Sequence, residues 1–542
     1  NAVKDAPRLG CPAGVVRQER ILKGRLLVFR GQPHGLGELL AGGFRFTGLQ
    51  VCVGEILADT RPAGRGRHGL AELLDGLVEL TRAQRFVGFV ERILGGIHGL
   101  AGSRQAGHYE DAGRAYHRIT PMGYGNSGPP GESLAAKMGA GRSGIAGNAK
   151  MKNMLAFRGV DYLQIDSLLT EEELLVRQTA RQFVEDRVLP VIRDCFREGR
   201  FPMELIREMG SLGFFGANLE GYGCAGMSNV EYGLIMQEIE RGDSGVRSCV
   251  SVQGALVMYP ILTFGSEEQK RRWLPRLQSG EALGCFGLTE PDFGSNPAGM
   301  RMTARRDGNG WVLNGEKTWI TNGSVADVAV GWARTEDGVC GFLVEKGTPG
   351  FSASDIHGKW SMRASVTSSL SFADCRIPAE NLLPGTTGLK SALVCLTQAR
   401  YGIGWGVLGA AMDCYETARQ YTLVRKQFDD RPIASHQLVQ EKLAWMITEI
   451  SKAQLLALHV GRLKDQGKAE PAHVSMLKRN NVHIAVECAR LSRDLLGANG
   501  ITDEYPIMRH LCNLETVKTY EGTDHIHALI IGERVTGIPA YR

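Results

Sequence analysis

A chain of 542 residues is long enough for two to four domains that each bury a core, and it is not a small cross-linked scaffold. Its 12 cysteines stand singly, with no C-x-x-C pair, which argues against a zinc ribbon or a dithiol redox motif and for reduced, packed thiols. No run reaches about 18 uninterrupted apolar residues, and no basic head precedes an apolar stretch at the N-terminus, so neither a membrane span nor a secretory signal is expected.

The net charge of +5 joins two unlike parts. Residues 1–150 hold 20 Lys and Arg against 12 Asp and Glu, whereas residues 151–542 hold 43 against 46. Glycine divides in the same way, with 29 in the first 150 residues and 41 in the rest. Only the second part has the near-neutral balance of a metabolic enzyme. In the first, Gly and Pro punctuate stretches such as Pro62 to Leu70 and Pro121 to Gly147 too densely for long elements. A basic arm for nucleic acid or targeting is one reading of it. A leader that is not a domain, with the enzyme opening at Met151, is the expectation adopted for residues 1–150.

From residue 151 to about 282 the pattern is helical. Thr170 with Glu173 three residues later predicts a capping box, and Val176, Ala180, Phe183, Val184, Val188 and Ile192 recur at helical spacing. Residues 283–385 alternate instead, as in Val328, Val330, Trp332 and in Val366, Leu370, Phe372, with turns expected at Asp307 to Gly310 and at Asn314-Gly315. Helical periodicity returns over residues 386–542, in segments Leu389 to Arg425, Ile433 to Lys464 and Ala472 to Leu496. The predicted fold class is therefore α+β and multidomain: an N-terminal α-helical domain, a middle β-domain, and a C-terminal block long enough for a four-helix bundle.

Several short segments could carry chemistry. The loop from Thr289 to Asn296 holds hydroxyls and a glycine able to approach a ring edge or a phosphate, though an ordinary polar turn has the same composition. Trp319-Ile320-Thr321-Asn322 sets an indole beside a hydroxyl, a pairing equally at home in a core. In Tyr520-Glu521-Gly522-Thr523 a carboxylate precedes the apolar run Ile526 to Ile531. Burial there would raise its pKa and suit it to accept a proton, whereas a solvated Glu at a helix start would do nothing. His525 and His527 have no third ligand at useful spacing, so no metal is expected.

Taken together and in order, T-E-P-x-x-G-S from Thr289, W-I-T-N from Trp319, Arg425 with Phe428, the turn Gly497-Ala498-Asn499-Gly500, and Y-E-G-T from Tyr520 resemble the acyl-CoA dehydrogenase family over residues 160–542. The run from Glu240 to Gln253 is most similar to the glutaryl-CoA dehydrogenases. The resemblance implies FAD as cofactor and Glu521 as the base that removes the substrate α-proton. It implies that Thr289, Ser295, Trp319, Thr321 and Thr523 contact the flavin, and that Arg425, Phe428 and Gln437 reach the FAD of a neighbouring subunit in a homotetramer. Arg247 and Ser251 would receive the distal carboxylate of glutaryl-CoA, with Glu240 tuning Arg247 and Tyr520 fitting a decarboxylating site. A buried guanidinium with paired donors is what a dicarboxylic acyl chain needs, in place of the apolar tunnel that suits a fatty one.

The implied reaction is oxidative decarboxylation to crotonyl-CoA and carbon dioxide, a step in lysine and tryptophan degradation, with electrons passed to an electron-transfer flavoprotein. No nucleic-acid partner is implied. The compartment would be the cytoplasm, or the mitochondrial matrix in a eukaryote. Another short-chain acyl-CoA dehydrogenase, or a glutaryl-CoA dehydrogenase that does not decarboxylate, is the alternative. The sequence departs from the family at Asn296, where Asp is common, and at Asp524-His525, which inverts the usual order.

Overall fold

The computed structural model describes residues 157 and 159–541; residues 1–150 lie outside them. Helix α1 (Glu171–Phe183) opens with the expected box: the Thr170 hydroxyl accepts from the Glu173 amide, and the Glu173 carboxylate accepts from the Thr170 amide. A π-turn, Val184–Val188, carries the same apolar stripe into α2 (Leu189–Glu198). After α3 (Ile206–Ser211) come α4 (Asn229–Gly242), almost wholly buried, and α5 (Ser244–Ser251). Through a second π-turn, Val252–Met258, α5 continues into α6 (Tyr259–Phe264), and α7 (Glu267–Gln278) closes the helical region. The run Ser244–Phe264 is long and apolar enough to cross a membrane, but it is a core helix, mostly buried inside the protein.

Seven strands follow: β1 (Gly284–Gly287), β2 (Thr303–Asp307), β3 (Gly310–Thr321), β4 (Val328–Thr335), β5 (Gly338–Glu345), β6 (Phe351–Asp355) and β7 (Thr367–Pro378). They form one sheet in the order β1-β4-β2-β3-β7-β6, with β5 also paired to β4. Strand β4 is parallel to β1 and antiparallel to β5. Its alternation of apolar residues does not mark one wet face, because Val328 through Ala333 are all buried. Asn314-Gly315, expected to turn the chain, instead lies within β3 at a shift in register against β7. Gly315 takes φ 145° there, and Asn314 exchanges side-chain bonds with Asp374, so the pair forms a bulge in a long strand.

The C-terminal region is built on three long helices, α8 (Leu389–Val424), α9 (Gln437–Asp465) and α10 (Pro471–Leu495), followed by α11 (Ile507–Val517) and α12 (Asp524–Thr536). A short hairpin, β8 (Lys426–Gln427) with β9 (Arg431–Pro432), joins α8 to α9. Helix α8 packs along both α10 and α4, so the two helical regions share one core, while the sheet has its own around Leu313, Phe342 and Phe372. Close approach of α8 to α4 depends on missing side chains. A Cβ on Gly409 would overlap the Gln237 carbonyl oxygen, and one on Gly406 would overlap the Glu240 carboxylate.

Candidate active site

Two buried helices and one loop define the candidate site. Glu240 is in the last turn of α4, and Asp243 caps the next helix, accepting from the Gly245 amide at 2.6 Å. Arg509 and Asn513 of α11 each donate to the other Asp243 oxygen at 2.9 Å, fixing where α5 starts. One turn into α5 stands Arg247, and Ser251 lies one turn further on the same face; both are buried. Arg247 Nε donates to Glu240 Oε2 at 2.7 Å, and its Nη2 donates to the Tyr520 hydroxyl. Those bonds use two of five guanidinium donors and leave three for another acceptor. Burial alone would lower the Arg247 pKa, but the adjacent Glu240 carboxylate and Tyr520 reverse that, so the cation is held firmly charged. The next motif residue in reach of the sheet, Gln253, ties the helix to β1 instead. Its side-chain amide donates to the Leu277 and Ala282 carbonyls and accepts from the Gly284 amide.

Tyr520 and Glu521 occupy the loop between α11 and α12. Glu521 has φ 54° and Gly522 φ 92°, a left-handed pair that costs energy at a glutamate. The Glu521 carbonyl accepts from Arg400 Nε of α8 at 2.7 Å, while Lys478 Nζ of α10 donates to the Tyr520 carbonyl and, at 2.7 Å, to that of Gly522. The carboxylate itself is buried at Oε2 without a protein hydrogen-bond partner among the described residues. Burial raises its pKa against the opposing charges of Arg400, Lys478 and Arg247. The apolar run Ile526 to Ile531 therefore explains only part of the environment, since three cations surround the group.

Arg400, Lys478 and Tyr232 were not singled out from the sequence. Tyr232 of α4 faces Ser251, and burial pushes its hydroxyl up to about 12. A signal existed in the other two: each is a lone cation within an otherwise buried helical stripe, Arg400 between Ala399 and Tyr401, and Lys478 after Leu477.

The other site candidates lie on the sheet and its loops, at the start of α12 and around the β8–β9 hairpin. Thr289 and Trp319 are brought together where the Thr318 amide donates to the Thr289 carbonyl at 2.9 Å. The loop from Thr289 is anchored by a buried pair, Lys317 Nζ to Glu290 Oε1 at 2.8 Å, with Glu290 also accepting from the Arg301 and Met302 amides. Trp319 is not core: it sits at a second irregularity of β3 with φ 60° and is 63% exposed. Ser295 is exposed, Thr321 is half-buried, and among the described residues no protein partner takes the hydroxyls of Thr289, Ser295 or Thr321. An exposed indole near open hydroxyls of Thr289 and Thr321 fits a planar heteroaromatic ring with acceptors at its edge. Thr523 uses its hydroxyl to cap α12, accepting from the Ile526 amide. Asp524 is held by His483 at 2.6 Å, and of the two loop histidines His525 is exposed and His527 buried.

Arg425, Phe428 and Gln437 cluster around the β8–β9 hairpin, all exposed. Arg425 follows Arg400 by 25 residues, about 37 Å along α8 at 1.5 Å per residue, so the hairpin stands far from the Glu521 carbonyl that Arg400 holds.

Family models for the acyl-CoA dehydrogenase N-terminal, middle and C-terminal domains match residues 170–281, 285–375 and 386–536. The chain belongs to the acyl-CoA dehydrogenase family. It is 35% identical over 406 residues to the human mitochondrial short-chain specific acyl-CoA dehydrogenase, covering 73% of this chain and 98% of that one. A Bacillus subtilis acyl-CoA dehydrogenase is 36% identical, covering 68% of this chain and 99% of the relative. Among solved structures of the family, glutaryl-CoA dehydrogenase from Mycobacterium smegmatis is 56% identical with a TM-score of 0.70, over 71% of this chain and all of that one. A second structure of a glutaryl-CoA dehydrogenase from that organism, in complex with FADH2, is 53% identical with the same TM-score.

Proposed function

We propose that the protein catalyses the FAD-dependent oxidative decarboxylation of glutaryl-CoA to crotonyl-CoA and carbon dioxide. The observation that carries this reading is the buried Arg247, braced by Glu240 and bonded to Tyr520, the residue adjoining Glu521. A cation and a base are thereby held within electrostatic reach of each other. An acyl chain with a second carboxylate fits between them, its distal carboxylate on Arg247 and Ser251 and its α-carbon at Glu521.

Glu521 takes the α-proton. Its raised pKa suits it to that role, because a base of ordinary carboxylate strength would be a poorer acceptor for so weak an acid. Trp319, Thr289, Ser295 and Thr321 would hold FAD, which when bound would supply a two-electron acceptor for the hydride leaving the β-carbon. Loss of a proton and a hydride converts glutaryl-CoA to glutaconyl-CoA. Its carboxylate then leaves as carbon dioxide, the C–C bonding pair passing into a dienolate conjugated with the thioester. The proton held by Glu521 returns to the γ-carbon, giving crotonyl-CoA. Through these steps Arg247 fixes the register of the chain, and the amides of the left-handed loop stand near the developing enolate charge.

Val424 at the end of α8 and Phe428 in the hairpin, exposed at 79% and 77%, support a homotetramer in which Arg425, Phe428 and Gln437 reach a neighbour's FAD. Electrons leave to an electron-transfer flavoprotein. The short-chain reading rests on the 35% identity to the human relative, and one assay separates the two. Mixed with glutaryl-CoA and an electron acceptor, the protein should form crotonyl-CoA and carbon dioxide in equal amounts, and should turn over butyryl-CoA poorly. Faster turnover of butyryl-CoA would favour the short-chain reading.

A further inference from the structure

Lys478 is 1% exposed, two turns into α10. Its ammonium meets only neutral groups directly, the carbonyls of Tyr520 and Gly522, and no carboxylate lies within ion-pair distance of it among the described residues. Burying an ammonium without a partnered anion is costly, so its position calls for a compensating role. With Arg400 on the Glu521 carbonyl, three consecutive carbonyls of the loop converge on two buried cations. Without them, the left-handed loop would leave these acceptors buried and unpaired.

The charged and titratable groups facing Lys478 come from the loop, α12, α8 and α5. They are Tyr520 and Glu521 of the loop, Asp524 and His527 of α12, Arg400 of α8 and Arg247 of α5. Burial, with Lys478 and Arg400 alongside, pushes His527 down to about 3 and keeps it neutral. Asp524 is already engaged by His483 and Arg479. The carboxylate of Glu521 is therefore the anion that answers Lys478 through space. Burial lowers the Lys478 pKa to about 7 while Glu521 opposes the shift, so the lysine is charged in the acid range where Glu521 gains its proton.

We propose that Lys478 is a positioning residue for Glu521: its ammonium clamps the two carbonyls that flank the base, holding the left-handed loop that aims the carboxylate, and its charge keeps that carboxylate ionised. The inference rests on Glu521 being the base.

The test uses the 3-thia analogue of glutaryl-CoA, whose β position is sulfur and has no hydride to give. Exchange of its α-protons with solvent deuterium, followed by mass spectrometry on the FAD-loaded full chain, reads the base without any electron transfer. In Lys478→Met and Lys478→Gln the acid limb of the exchange rate should move up by about one pH unit, a tenfold loss of rate below it. Lys478→Arg, which keeps a cation, should leave the limb near its original pH, and Glu521→Gln should abolish exchange. Should the Met variant fold poorly, the Gln variant decides. An unmoved limb in the uncharged variants, with Glu521→Gln silent, overturns the role of Lys478 alone. Exchange that survives in Glu521→Gln instead removes the base assignment on which it stands.

Discussion

Among the described residues Arg247 has no partner outside the site that would explain its burial: Glu240 and Tyr520 brace it, and both belong to the same cluster. If its remaining donors receive a distal carboxylate, Arg247→Met should cripple turnover of glutaryl-CoA far more than that of a monocarboxylic acyl-CoA. Stranding one member of a buried charge pair costs on the order of 2 to 5 kcal/mol. Steady-state kinetics on both substrates checks this, and equal losses would make Arg247 a packing residue. Glu240, Arg247 and Glu521 were named through the resemblance of their short motifs, and the structure places Arg247 against Glu240 and against Tyr520 beside Glu521. Arg400 and Lys478 were harder to find: each is a lone cation in a buried helical stripe, but the partners that give it a role are backbone carbonyls more than 40 residues away.

At the level of elements, the helices were more legible than the strands. Thr170 and Glu173 announced α1 through a local capping box, and the apolar stripe that follows needed no knowledge of the rest of the chain. The sheet depends on neighbours distant in sequence. Asn314-Gly315 has turn chemistry, yet pairing of β3 with β7 turns it into a bulge, and Trp319, whose segment alone suits a core as well as a flavin site, is turned outward at the second irregularity of β3. Helix α8 makes an element-level prediction. Gly409→Ala would press a methyl group into the Gln237 carbonyl and force α8 away from α4. Overpacking of this kind costs roughly 1 to 3 kcal/mol or more, so thermal unfolding should shift down by several degrees. A variant as stable as the parent would show that the α4–α8 approach has slack.

For the whole molecule, the α-β-α order followed from periodicity alone, and the family models match only residues within 170–536. We propose functional boundaries at 151–282, 283–385 and 386–542, with residues 1–150 dispensable on their basic, glycine-rich composition. A chain beginning at Met151 should fold, hold FAD and keep full activity; loss of flavin on truncation would assign those residues a role.

The central claim, that Glu521 is the base, is tested most directly by rapid mixing of FAD-loaded protein with glutaryl-CoA while the flavin absorbance is followed. Glu521→Gln nearly preserves side-chain volume and should keep folding, flavin content and acyl-CoA binding. Flavin bleaching should slow by about 10²- to 10⁴-fold, the loss expected when a positioned proton acceptor is removed. Bleaching at close to the parent rate would contradict the account, and the base would have to be sought elsewhere.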